Sequence, residues 1–236
     1  MMLHKQTQEI HQDKLDEYLL SLAKEYKKEN RDALQTEVIL VGGASVIINF
    51  SFRKMTTDAD AYIGSYSSMK GAIERVANKY DLRMDWLNDD FTKTSSFSNN
   101  IRLYSKPYKT FLGYFEVRTI TDEYLVAMKL MAGREYKHDL SDIAGILFEK
   151  HKAGKDLSLD EIKVAVKNLY GSWDALPLTS REFIENVFAN ISAENYEHIA
   201  KIEETNKSLL IEHVVSGREI KRDDNIHELL EMLNNK

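Results

Sequence analysis

A run of apolar and β-branched residues, Glu37-Val-Ile-Leu-Val41, stops at two consecutive glycines, Gly42 and Gly43, and gives way to a helical pattern from Ala44 to Phe50. A buried strand that turns into a helix within two residues demands a sheet with helices packed on it. Glycines at such a turn let the backbone approach a ligand closely, and amides at a helix start can hold phosphate. The next strand pattern is Asp58-Ala-Asp-Ala-Tyr-Ile63. Its period of two places Asp58 and Asp60 on one face. Two adjacent like charges cost energy unless a cation joins them, and oxygen ligands of this kind suit Mg²⁺ or Mn²⁺.

The periodicities on either side extend this reading. Residues 6–29 predict an amphipathic helix with Leu15, Leu19, Leu22 and Tyr26 on one face. Residues 67–80 predict another, with Met69, Ile73, Val76, Ala77 and Tyr80 as its stripe. Leu82–Leu87 reads as a third strand in which Met84 and Trp86 share one face and Asp85 takes the other, where it would complete a three-carboxylate cage. Residues 88–100 read as a loop. Ile101–Tyr104 and Phe111–Ile120 read as further strands separated by Lys106-Pro107. Beyond Thr121 strand signals cease. Helical patterns occupy 122–133, 140–150, 193–214 and 224–234, and capping boxes at Ser158-x-x-Glu161 and Thr179-x-x-Glu182 predict two more helix starts. The expected fold is thus α/β (α+β): a mixed sheet flanked by helices over residues 1–120, followed by a helical region over 121–236.

Composition narrows the function classes. A net charge of −6 excludes a strongly basic nucleic-acid footprint at the level of the whole chain. The absence of cysteine excludes disulfides and thiolate metal sites. No apolar run approaches the ~18 residues of a membrane span, and the polar start predicts no secretory leader. A cytoplasmic protein without membrane partners is expected. The histidines show no ligand spacing, and Tyr62, Trp86, Phe111 and Tyr114 read as core aromatics.

The glycine pair, the helix and the paired aspartates together resemble the signature of DNA polymerase β-type nucleotidyltransferases. A closer resemblance is to bacterial nucleotidyltransferase-like proteins related to the AbiEii abortive-infection toxins. It rests on Lys54-Met-Thr56-Thr-Asp58-Ala-Asp60, with Lys for Arg, on Leu125-x-x-x-Lys129-x-x-Ala132-x-Arg134, and on Asp139-x-x-Asp142-Ile143. Fourteen residues separate Gly43 from Asp58, more than in compact members. The resemblance implies metal-dependent transfer of a nucleoside monophosphate from an NTP to a hydroxyl of an acceptor, either RNA such as tRNA or a protein. It also implies a toxin or phage-defence role with a cognate antitoxin. Asp58 and Asp60 would hold Mg²⁺ or Mn²⁺ with Asp85 as third ligand, Glu116 being the alternative. Gly42, Gly43, Ser45, Lys54, Thr56, Lys129 and Arg134 would contact the nucleotide. Asp139 would orient Lys129 or Arg134, and Asp142 would pair with Arg134. Two bland readings stay open: Lys129 as a snorkelling lysine and Ser45 as a mere helix start. The rival class is an inactive nucleotide-binding or protein-interaction module on the same fold.

Overall fold

The computed structural model describes residues 9–30, 35–64, 66–220 and 225–235. The expected helices over 6–29 and 224–234 therefore begin partly outside the described residues. The chain divides into two compact units, one of residues 1–128 and 160–173, the other of residues 129–159 and 174–236.

The first unit opens with β1 (Ile10–His11) and α1 (Gln12–Glu29), whose Leu15, Leu19, Leu22 and Tyr26 are buried as their spacing predicts. Then come β2 (Thr36–Leu40), α2 (Gly42–Asn49), β3 (Met55–Thr56), β4 (Ala59–Ile63) and α3 (Tyr66–Tyr80). They are followed by β5 (Leu87–Asn88), β6 (Ser105–Phe111) and β7 (Phe115–Ile120). The five-stranded sheet has the order β5-β4-β2-β7-β6. In it β2 runs antiparallel to β4 and parallel to β7, so the sheet is mixed. The two-residue pairing of β1 with β3 is an addition that the sequence did not suggest.

Burial alternates along β4. Ala59, Ala61 and Ile63 enter the core with Leu15, Leu19 and Leu22 of α1 and Met69, Ile73 and Val76 of α3, while Asp60 and Tyr62 lie half-buried on the other face. The small alanines let the helical layer approach the sheet, and on the opposite face Ile39, in register with Tyr62, is buried as well.

Three local expectations are corrected. Of the expected strand at 82–87 only Leu87 joins the sheet, together with Asn88 as β5, because Asp81 turns left-handed (φ 54°) after α3 and the chain reverses through 84–86. Met84 and Trp86 do not share a face: Met84 is 54 % exposed, whereas Trp86 is fully buried with its indole N–H donating to Ile73 O at 3.1 Å. Residues 99–104 form a 3-10 turn, and Pro107 lies inside β6 rather than between strands. An edge strand tolerates the missing N–H, and the β6–β7 register slips between Pro107 and Lys109.

The remaining helices are α4 (Asp122–Ala132), α5 (Asp139–Lys152), α6 (Leu159–Tyr170), α7 (Leu178–Ala189), α8 (Ala193–Val215) and α9 (Ile226–Asn234). Most of α6 belongs to the first unit, and α4 runs across the division at residue 128. Thr179 lies inside α7, whose N-cap position is Pro177, so the second capping box does not form. None of the described helices is long and apolar enough to cross a membrane.

The second unit is held by buried charge. The Lys129 ammonium lies 3.1 Å from Asp139 Oδ1 and 2.7 Å from Asp142 Oδ2, and Arg134 Nε lies 2.6 Å from Asp139 Oδ2. Burial raises the Asp139 pKa, but the Lys129 and Arg134 charges outweigh it and hold the carboxyl below its ordinary value. The N-cap residue of α5, His138, makes no side-chain cap. Glu203 of α8 does this from a distance in sequence, accepting from the amides of Leu140 (2.8 Å) and Ser141 (3.3 Å).

Burial pushes the Glu203 carboxyl up from 4.5 to about 7, against the lowering effect of those hydrogen bonds and with added repulsion from Asp142. Because the folded pKa lies above the unfolded one, the folded state binds the extra proton between about 4.5 and 7. The stabilisation is fully present below that window and is lost as pH rises through it. Glu203→Gln should therefore flatten the decline of stability with pH across the window, read as the urea midpoint of variant minus parent, which cancels other titrating groups. Parallel profiles would show that Glu203 does not titrate there.

Candidate active site

The turn from β2 into α2 brings the glycine pair and the second aspartate together. The Val41 amide donates to Asp60 O at 2.9 Å, carrying the β2–β4 ladder one residue past the strand. Gly42 adopts φ +53°, and a Cβ built on it would lie 3.2 Å from Asp60 Oδ2. A Cβ on Gly43 would collide with Thr56 Oγ1 and lie 3.1 Å from Arg53 Nη2. The two glycines thus form a bare backbone floor bordered by Asp60, Thr56 and Arg53. Asp58 immediately precedes β4 and is half-buried. Thr56 Oγ1 donates to the Asp58 carbonyl at 3.0 Å, fixing the approach to the strand.

The cation at this floor is Arg53 and not Lys54. Arg53 Nε donates to Met55 O at 2.9 Å and its Nη2 lies 3.4 Å from Thr56 Oγ1. Lys54 is exposed, with Nζ 3.5 Å from Gln12 Oε1, and its carbonyl accepts the Gln12 amide. Counting back from Asp58 along the motif lands one residue short. The adjacent pair Arg53-Lys54 was the available signal.

Asp85 is not brought into a cage with Asp58 and Asp60. It lies in the turn before β5, where Arg83 grips it with Nε–Oδ1 at 2.9 Å and Nη2–Oδ2 at 2.7 Å. That guanidinium holds the Asp85 carboxyl below its ordinary value, which makes it a poor base. Arg83 in turn feels Asp58 as well as Asp85, so one cation borders both carboxylates. The residue in register with Asp60 on β5 is Asn88, an amide.

Glu116 is no substitute. It pairs in register with Glu37 near the start of β2, three rungs from the Leu40–Thr119 pair that adjoins the glycine turn, and it is bound to Arg118 at 2.7 Å. Among the described residues, no three His, Cys, Asp or Glu side chains gather in a way that could hold a metal ion. The expected ligands that remain are the two carboxylates of Asp58 and Asp60. That fits Mg²⁺, which is commonly held by one or two carboxylates with substrate phosphates and water completing its shell.

Ser45, Lys129 and Arg134, expected at the nucleotide, are engaged by other side chains. Ser45 is fully buried, and its hydroxyl is hydrogen-bonded to Thr119 Oγ1, with the Asn49 amide donating to both Ser45 O (2.8 Å) and Thr119 Oγ1 (2.7 Å). Ser45 locks α2 to β7 instead of presenting a donor. Lys129 is 5 % exposed and already engaged by two carboxylates of the second unit, with Arg134 on Asp139 beside it. These four residues form one internal network, with Asp142 paired to Lys129.

The glycine floor makes a direct prediction. Gly42→Ala places a side chain at positive φ, at a cost of roughly 1–3 kcal/mol, and crowds the Asp60 carboxylate. The variant should melt lower than the parent and lose the upward shift in melting temperature expected of the parent with Mg²⁺ and an NTP. An unchanged ligand-induced shift would separate Gly42 from the site.

A family model described as a nucleotidyltransferase of unknown function (DUF6036) matches residues 17–168, which span the glycine pair, both aspartates and Lys129. No curated protein and no solved structure matches the chain.

Proposed function

The chain belongs to the DUF6036 family of nucleotidyltransferases, and from that premise we propose that it transfers a nucleoside monophosphate from an NTP to an acceptor hydroxyl at the floor formed by Gly42 and Gly43. The observation that carries this reading is the close approach of the glycine turn to Asp60 and Arg53: a Cβ on Gly42 would lie 3.2 Å from the Asp60 carboxylate, and one on Gly43 would lie 3.1 Å from Arg53 Nη2. Phosphate groups would rest on the amides at the start of α2, where the helix dipole favours negative charge. Arg53 would orient the triphosphate by charge-assisted hydrogen bonds. Asp58 and Asp60 would hold Mg²⁺, which when bound supplies neutralisation of the phosphates and a lowered pKa for the acceptor hydroxyl. The acceptor oxygen forms a bond to the α-phosphorus, the bond from the α-phosphorus to the bridging oxygen breaks, and pyrophosphate leaves with that electron pair. The hydroxyl proton passes to solvent, because Asp85 is held ionised and occupied by Arg83. Asp85 is then a positioning residue for the guanidinium beside Asp58.

The motif likeness to AbiEii-type proteins supports RNA such as tRNA, or a protein, as the acceptor, and a cognate antitoxin as partner. The test is incubation with NTPs labelled at the α-phosphate, Mg²⁺, and separate RNA and protein fractions. Label in one fraction with stoichiometric pyrophosphate is expected. Release of orthophosphate alone would replace transfer by hydrolysis. The lack of a three-carboxylate cluster among the described residues favours one second reading, an inactive nucleotide-binding module. It predicts NTP binding with neither label transfer nor pyrophosphate.

A further inference from the structure

Tyr62 follows Asp60 by two residues on β4 and so shares its face, whereas Ala59, Ala61 and Ile63 face the core. Tyr62 was expected in the core with Trp86 and Phe111. Trp86 and Phe111 are buried there, but Tyr62 is half-buried on the carboxylate side. Its ring runs nearly parallel to that of Phe97, with centroids 6.3 Å apart and planes 16° apart. Phe97 is half-buried as well. Behind it stands Phe91, 7 % exposed, packed edge-on at 5.7 Å.

The segment that carries Phe97 is fastened on both sides to the end of α6, within the same unit. Tyr170 Oη donates to Ser96 O at 2.8 Å, Ser98 Oγ donates to Leu169 O at 2.9 Å, and Asn100 Nδ2 donates to Asn168 O at 3.0 Å. A polar segment rich in Ser, Thr and Asn would otherwise be mobile. Here three hydrogen bonds to one helix end fix the residues flanking a single half-buried phenylalanine. Such anchoring preorganises a contact surface, and preorganisation lowers the ordering cost of binding.

On the reading that phosphates rest at Asp58, Asp60 and the glycine floor, we propose that Tyr62 and Phe97 form the platform on which the nucleobase of the NTP stacks. The strand rise of about 3.3 Å per residue sets Tyr62 roughly 7 Å beyond Asp60 along β4. A ribose bridges a phosphate and a base over a span of that order. Offset aromatic faces attract the π-face that every base carries, so the platform accepts purines and pyrimidines alike. Phe91 and the α6 bonds keep Phe97 in place as the base arrives.

The test is calorimetric titration of the full chain with Mg²⁺ and ATP, UTP or tripolyphosphate. Tyr62→Ala should weaken ATP and UTP by roughly tenfold or more, the usual loss on removing a stacking ring, and leave tripolyphosphate unchanged. Phe97→Ala should act in the same direction, and Tyr62→Phe should keep the parent's affinities. Thermal melts confirm that each variant is folded, and Phe97→Ala carries the test if Tyr62→Ala is not. If ATP binds a folded Tyr62→Ala or Phe97→Ala variant as it binds the parent, or if tripolyphosphate weakens in step with ATP, the platform is overturned while the phosphate site stands. If the parent binds neither NTPs nor tripolyphosphate, the platform and the nucleotidyltransferase reading of this site fall together.

Discussion

Asp60→Asn is expected to lower nucleotidyl transfer by orders of magnitude while leaving the fold intact. The substitution keeps the side-chain shape, so the approach to Gly42 is preserved. It removes one negative charge from the proposed pair of metal-binding carboxylates, and a neutral amide is a weaker ligand for a hard cation. No third acid clusters with the pair among the described residues to compensate. Neutralisation of the phosphates and activation of the hydroxyl are impaired together, and such electrostatic contributions are usually the largest in catalysis. Stability should change little. Asp58 and Asp60 carry like charges two residues apart and the amide keeps the side-chain shape, so in metal-free buffer the variant should melt close to the parent's temperature. The transfer assay and the melt are read side by side. Unfolding of the variant, or transfer at the parent's rate, would remove Asp60 from the catalytic machinery.

Lys129→Met should produce the largest loss of stability. The ammonium bridges Asp139 and Asp142, which are 3 % and 1 % exposed. Removing it leaves Asp139 with Arg134 and takes the ammonium away from the buried Asp142 carboxylate. Breaking a buried ion pair by deleting one partner typically costs about 3–5 kcal/mol, because the remaining charge is left desolvated. The methionine keeps most of the aliphatic volume, so packing contributes little. Urea denaturation should show that loss in the unfolding free energy. The double variant Lys129→Met with Asp142→Asn should recover part of it, since the two sites are coupled. A loss under about 1 kcal/mol, in the range of an exposed pair, would show that the network contributes no more than a surface salt bridge.

The glycine turn and the strand that carries Asp60 were legible in the sequence because they rest on short-range periodicity. The strand ending at Gly42-Gly43 and the alternation through Asp58-Ala-Asp60 depend on local backbone geometry, and the folded chain joins them through one added rung at Val41. Asp85 failed for a related reason. Leu82, Met84, Trp86 alternate as a strand would, yet a left-handed Asp81 and the demand of the Trp86 indole for Ile73 O turn the chain instead. Pro107 separated two expected strands because proline cannot donate to a ladder, a restriction that an edge strand escapes. Arg53 was passed over because motif spacing favoured its neighbour. Glu203 left no signal, since it caps a helix 63 residues earlier in the chain. Tyr62 was read as core because an aromatic on a strand does not announce which face is covered; only the segment fastened to α6 shows what lies beside it.

The central claim is that Asp58, Asp60 and the Gly42-Gly43 floor bind the triphosphate of an NTP together with its metal ion. A crystal structure of the full chain with Mn²⁺ and a non-hydrolysable NTP analogue tests it most directly, because anomalous scattering locates the ion independently of the model of the ligand. The account predicts an anomalous peak within coordination distance of Asp58 and Asp60, phosphate oxygens against the amides of Gly42 and Gly43, and Asp85 still held by Arg83. A manganese ion bound elsewhere, or an ordered analogue whose phosphates do not touch the glycine floor, would contradict it.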